Sequence, residues 1–150
     1  MKNLIRILAF ICVLALHGGV GYAEPAPNLS KVEITHVGAD RTGWIPVNQI
    51  PNKTLSGEKF YVAVRFTGYP KSNRIFFYQN KNLIPVNQVT EASARKGIGN
   101  PHAGWVYYFA MPIAYGNGSI AVQADGINGG THYSTIFGVR SETQPAKQEQ

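Results

Sequence analysis

The run from Phe60 to Thr67 sets Phe60, Val62, Val64 and Phe66 on one side of an extended chain and Tyr61, Ala63, Arg65 and Thr67 on the other. A helix would need apolar residues three and four apart, whereas side chains alternate across a strand with period two. This segment therefore reads as a strand with the first set facing a core. Similar patterns place strands near 31–37, 44–50, 74–79, 83–89, 105–111, 118–124 and 132–139, which makes eight with 60–67. Between them lie Gly68-Tyr69-Pro70, Gly116-Asn117-Gly118 and Asn128-Gly129-Gly130, where glycine supplies the positive φ of tight turns. The last two strands read as a hairpin. A short helical turn is expected only at Thr90–Lys96, which Thr90 and Glu91 suit to capping. Eight short strands without helices predict an all-β fold, an immunoglobulin-like antiparallel β-sandwich, with a small β-barrel as the alternative.

The N-terminus has a different character. Lys2 and Arg6 precede the ten-residue apolar run Ile7–Leu16, and Gly21-Tyr22-Ala23 offers small residues at the two positions that signal peptidase reads. A bilayer core needs roughly 20 apolar helical residues, so this run reads as a signal peptide cleaved after Ala23 rather than as a span. The product is expected outside the cytoplasm, in a periplasm or the medium, with no membrane span in the mature chain. The only cysteine, Cys12, lies in the apolar run. Its removal leaves no disulfide and no thiolate metal site, so the domain must rely on its core. The expected organisation is signal peptide 1–23, extended segment 24–29, sandwich 30–140 and tail 141–150, with Glu24–Asn28 and the tail too poor in apolar residues to order themselves.

Without Lys2 and Arg6, 12 of the 14 basic residues remain against 8 carboxylates, a net charge of +4. The excess is scattered, apart from Arg95-Lys96, and forms no stripe able to follow a phosphate backbone, so no nucleic-acid partner is expected.

Ile45-Pro46-Val47-Asn48-Gln49-Ile50 recurs as Ile84-Pro85-Val86-Asn87-Gln88-Val89. Upstream of the copies lie alternating strands ending in glycine, through Val32, Ile34 and Gly38 and through Val62, Val64 and Gly68. Proline denies a ladder one donor, so each copy belongs at a sheet edge or a strand start.

The chemistry-bearing residues are sparse. His36, His102 and His132 are isolated in sequence, and none has a partner at metal-ligand spacing. His102, in the long segment Thr90–Gly104, is the one catalytic candidate, as an acid or base oriented by Asp40 or Asp125. Ser93-Ala94-Arg95-Lys96 has the Ser-x-x-Lys spacing of penicillin-recognising enzymes but none of their companion motifs. Asp125–Gly130 resembles a calcium loop in which Ile127 stands where an oxygen ligand is required. No metal or cofactor is expected.

Rings are plentiful instead. In Trp105–Met111, Trp105, Tyr107 and Phe109 share one face and Val106, Tyr108 and Ala110 the other. Trp105 and Trp44 are expected to anchor the core. A ring with a polar edge on an open sheet face stacks on sugars or anchors a protein. The candidate ligand-binding residues are Tyr61, Trp105, Tyr107, Tyr108, Arg95 and Lys96. The leading expectation is a secreted, non-enzymatic binding module whose partner is a polysaccharide or protein at the cell envelope or beyond. A small extracellular hydrolase or toxin using His102, and a structural subunit of a surface assembly, are the alternatives.

Val32-Glu33-Ile34, Val37-Gly38, Gly43-Trp44 and Gly68-Tyr69 follow one another behind the signal peptide. In this order the stretch Leu29–Tyr69 resembles the YolA-like family of small secreted bacterial proteins of unknown function. The resemblance implies an exported β domain and no catalytic residue. The second copy of the repeat and the segment Thr90–Gly104 lie outside it.

Overall fold

In a computed structural model of the chain, residues 25–89, 95–96, 102 and 104–142 are described. Each expected strand is present in whole or in part, among β1 (Lys31–Ala39), β2 (Gly43–Pro46), β3 (Thr54–Leu55), β4 (Lys59–Thr67), β5 (Pro70–Gln79), β6 (Asn82–Pro85), β7 (Arg95–Lys96), β8 (Trp105–Pro112), β9 (Gly118–Gly126), β10 (Thr131–Tyr133) and β11 (Phe137–Ser141). They form two sheets, β2-β1-β4-β8-β7 and β3-β11-β9-β5-β6, with β10 also beside β9. Pairing is antiparallel except between β3 and β11. Apart from the two-residue β3, the chain changes sheet from β4 to β5, from β6 to β7 and from β8 to β9, the immunoglobulin-like order. Among the described residues both sheets keep free edges and no barrel closes, so the barrel alternative does not apply.

The alternation performs as the sequence suggests. Phe60, Val62, Val64 and Phe66 are fully buried and share one core with Phe77, Ile120 and Val122 of the second sheet. The rings of Phe60 and Phe77 meet at 6.3 Å between centroids. Each such side chain contributes about 1.5–3 kcal/mol of hydrophobic stabilisation, so a core without staples suffices.

Both repeat copies depart from the strand reading after their prolines. Val47–Asn52 is a 3-10 turn and Val86–Val89 one helical turn, α1. Proline withholds the N–H that a ladder needs, and the φ of −58° at Pro46 suits entry into a helical turn. The strand halves do take sheet edges, β2 in one sheet and β6 in the other. The first copy forms a hairpin with β1, and the second with β5 rather than with the 60–67 strand. Of the helical turn expected at Thr90–Lys96, residues 90–94 lie outside the described residues, and Arg95–Lys96 is strand.

Described from residue 25, the segment ahead of β1 is tied down, contrary to expectation. Leu29 is buried, the Tyr69 N–H donates to Pro27 O at 3.2 Å, and Asn128 Nδ2 donates to Ala26 O at 2.7 Å. Gly68, with φ +88°, permits this approach, since a Cβ there would stand 1.9 Å from Asn28 O.

Candidate functional site

The outer face of the first sheet follows from its registers. Trp44, Gly38, Tyr61 and Ala110 form one row across β2, β1, β4 and β8, and Pro46, His36, Ala63 and Tyr108 form the next. A bulge at Thr35 sets the second row, since the register of β1 on β4 shifts between Ile34 and His36. One extra residue there turns His36 to the outside.

Gly38 and Ala63 are small, and the rings around them close over the gap. Trp44 lies 5.9 Å from Tyr61 and 5.7 Å from Tyr108, the latter pair edge to face at 66°. A Cβ on Gly38 would stand 2.4 Å from Gly43 O, so a side chain there would push β2 and Trp44 away. Trp44 remains 48% exposed and Tyr108 40%. Beside them a groove of about 350 Å³ runs between Trp44, Tyr108, His36 and Arg65 over Ala63. Hydrophobic ring faces beside an imidazole, a guanidinium and the Thr35 hydroxyl make a surface for flat, hydroxyl-rich ligands.

Asp40, in the turn after β1, holds Tyr61. Its carboxylate accepts from the Tyr61 hydroxyl and from the N–H groups of Glu58 and Lys59 at 3.0 and 2.7 Å. The Tyr61 bond foremost, then the two N–H groups and the Lys59 charge, hold its carboxyl below the ordinary value against a smaller opposing effect of burial.

Only part of the expected site assembles here. Tyr61 and Tyr108 share the groove face. Tyr107 and Trp105 pair with Val64 and Phe66, the core side of β4. Tyr107 meets Phe66 edge to face at 5.1 Å and stacks on Phe109 at 6.3 Å, and burial, with a smaller effect of Tyr69, raises its phenol above the ordinary value. Trp105 lies half-buried against Tyr69 at 6.0 Å. Tyr107 and Trp105 thus lie on the face opposite Tyr61 and Tyr108, because neighbouring residues of a strand face opposite ways. Arg95 and Lys96 stand opposite Tyr108 and Tyr107 in the register, and their side chains lie outside the described residues.

Trp44, expected in the core, belongs to the groove instead. The pattern Gly43-Trp44-Ile45-Pro46 carried the signal, since burying Ile45 turns Trp44 outward. Arg65 was legible as an outward position, whereas His36, in step with Val32 and Ile34, is turned outward only by the bulge, and neither was legible as a neighbour of Trp44.

His102 is exposed. Both carboxylates considered as its orienters are engaged, Asp40 as above and Asp125 by Arg74 Nε at 2.7 Å and the Thr131 hydroxyl at 2.8 Å. The Asp125–Gly130 segment is a hairpin turn closed by the Gly126 N–H on Gly130 O at 2.9 Å. Among the described residues no three His, Cys, Asp or Glu side chains gather to hold a metal ion, and no helix is long and apolar enough to cross a membrane.

Residues 24–139 match the family described as a domain of unknown function, DUF4879. No curated protein matches the chain.

Proposed function

The chain belongs to the DUF4879 family, and since membership brings no activity with it, we propose from its geometry that it is a secreted, non-enzymatic module that binds a polysaccharide. The observation that carries this reading is the groove that Trp44 and Tyr108 line over Ala63, with Tyr61 packed against Trp44 on the same sheet face. Sugar C–H faces pack on ring faces while hydroxyls find the polar groups at the rim. The positions of Thr35, His36 and Arg65 supply that rim. Export rests on the Lys2-to-Ala23 segment, and the likeness of Leu29–Tyr69 to the YolA-like proteins agrees with it. The hydrolase reading has less behind it, since Asp40 and Asp125, the carboxylates considered beside His102, each hold structural hydrogen bonds of their own.

Affinity electrophoresis of residues 24–150 through gels containing neutral or acidic polysaccharides tests this proposal. At least one polymer is expected to retard the chain, and Trp44→Ala or Tyr108→Ala to abolish the retardation with little change in thermal midpoint. Retardation untouched by both substitutions would remove the groove from the function. Capture of a protein partner but no polymer would replace the ligand class.

A further inference from the structure

The second sheet has its own groove. It has a volume of about 560 Å³ and runs beside β11, with Lys53 and Pro51 of the 3-10 turn region, Asn80, Ser119, Gly138 and Arg140 among its lining. Lys53 and Arg140 are exposed, no carboxylate lines the groove, and neither cation is ion-paired among the described residues. Two unneutralised cations on one cleft make it a site for an anion.

Gly138 adds an independent observation. Glycine weakens a strand interior unless a bulge, a bend or a close approach requires it. Here φ is not left-handed, and nothing lies within 4 Å of a Cβ built on Gly138. Neither backbone conformation nor protein packing accounts for the missing side chain. An open groove does, because a side chain at this position would stand in it.

The groove has a neighbour on the same sheet. Ser119 and Ala121 project from the same face of β9, about 7 Å apart, and at Ala121 a second groove of about 370 Å³ opens between Tyr78, Leu83, Tyr133 and Ile136. That part is apolar. Leu83, Ile136 and Tyr133 are 46%, 58% and 67% exposed, which calls for a hydrophobic occupant.

We infer that the two grooves together bind a monomeric fatty acid. The carboxylate sits between Lys53 and Arg140, and the alkyl chain passes Gly138 and lies against Tyr78, Leu83 and Ile136. The site is on the opposite sheet from the aromatic groove and does not depend on the polysaccharide reading.

Titration calorimetry on the protein purified from an exporting host, with octanoate, octanol, propionate and phosphatidylglycerol vesicles, decides the matter. Octanoate should bind saturably, and octanol and propionate each about tenfold more weakly or worse. Lys53→Ala with Arg140→Ala should weaken octanoate by about tenfold or more. Gly138→Val should abolish binding while keeping the thermal midpoint, since the new side chain meets no protein atom at its Cβ. Trp44→Ala should leave octanoate binding unchanged, which separates failure of this site from failure of the polysaccharide groove. Equal binding of octanol would remove the anion contact, and equal binding of propionate the apolar one. Binding to vesicles without octanoate, or octanoate binding unaltered in Gly138→Val, would overturn the proposal.

Discussion

Tyr107 and Tyr108 are adjacent in β8, yet one side chain packs on the core and the other looks into solvent. The Tyr107 ring lies between Phe66 and Phe109. Tyr107→Ala should therefore cost about 2–3 kcal/mol, less than a wholly buried ring, measured by urea unfolding. Tyr108→Ala removes a ring that touches Trp44 on an open face, and should cost no more than about 1 kcal/mol. If the two losses prove equal, the assignment of faces is wrong. The division was legible: Phe60 to Phe66 mark the core side of β4, and Phe109 and Met111 mark the core side of β8. What the sequence withheld was the meeting of Trp44 with Tyr108. That depends on β2 and β8 flanking β1 and β4 in the sheet, a non-local fact that no period in the chain encodes.

Strands announced themselves by alternation, while their interruptions needed the fold. The expected strand 132–139 is two pieces, β10 and β11, with Ser134 at the break. There the Ser134 N–H donates to Val122 O at 2.8 Å, and its Oγ accepts from the Val122 N–H at 2.9 Å. A side chain thus takes the place of a ladder carbonyl, and its burial leaves little water to substitute. Ser134→Ala strands a buried N–H and should cost about 1–3 kcal/mol. Hydrogen exchange at the Val122 amide should rise with it, and an amide still as protected as before would show that another acceptor serves. Nothing in Tyr133-Ser134-Thr135 marks this role, since a serine that repairs a ladder reads like a serine in a loop. The same holds at Pro46 and Pro85. Proline was enough to place both copies at sheet edges, but the helical turns after them rest on packing of Ile50, Val86 and Val89 into the core, which overrides the strand propensity of valine and isoleucine.

Across the whole molecule, each sheet has a carboxylate that ties its elements together, Asp40 in a turn and Asp125 near the end of β9. Asp40 bonds the turn after β1 to the start of β4, and Asp125 joins β9 to Arg74 of β5 and Thr131 of β10. The hydroxyl of Tyr61 on Asp40, and those of Thr131 and then the guanidinium of Arg74 on Asp125, hold both carboxyls below the ordinary value of 3.8, against a smaller effect of burial. A depressed folded pKa means that the unfolded chain binds protons first as pH falls. The stabilisation is complete above the ordinary carboxylate range, begins to fall near pH 3.8 and is gone once pH has passed through the lower folded values. Asp40→Asn and Asp125→Asn should thus lower the urea midpoint at pH 7, and the gap to the parent chain should close as the pH drops below that value. The two losses should add, because the carboxylates serve different sheets and share no partner. A gap that stays constant down to full acid unfolding would mean that the side chains act by shape and not by charge. A gap that widens on acidification would reverse the sign of the linkage and contradict the hydrogen bonds that both carboxylates accept.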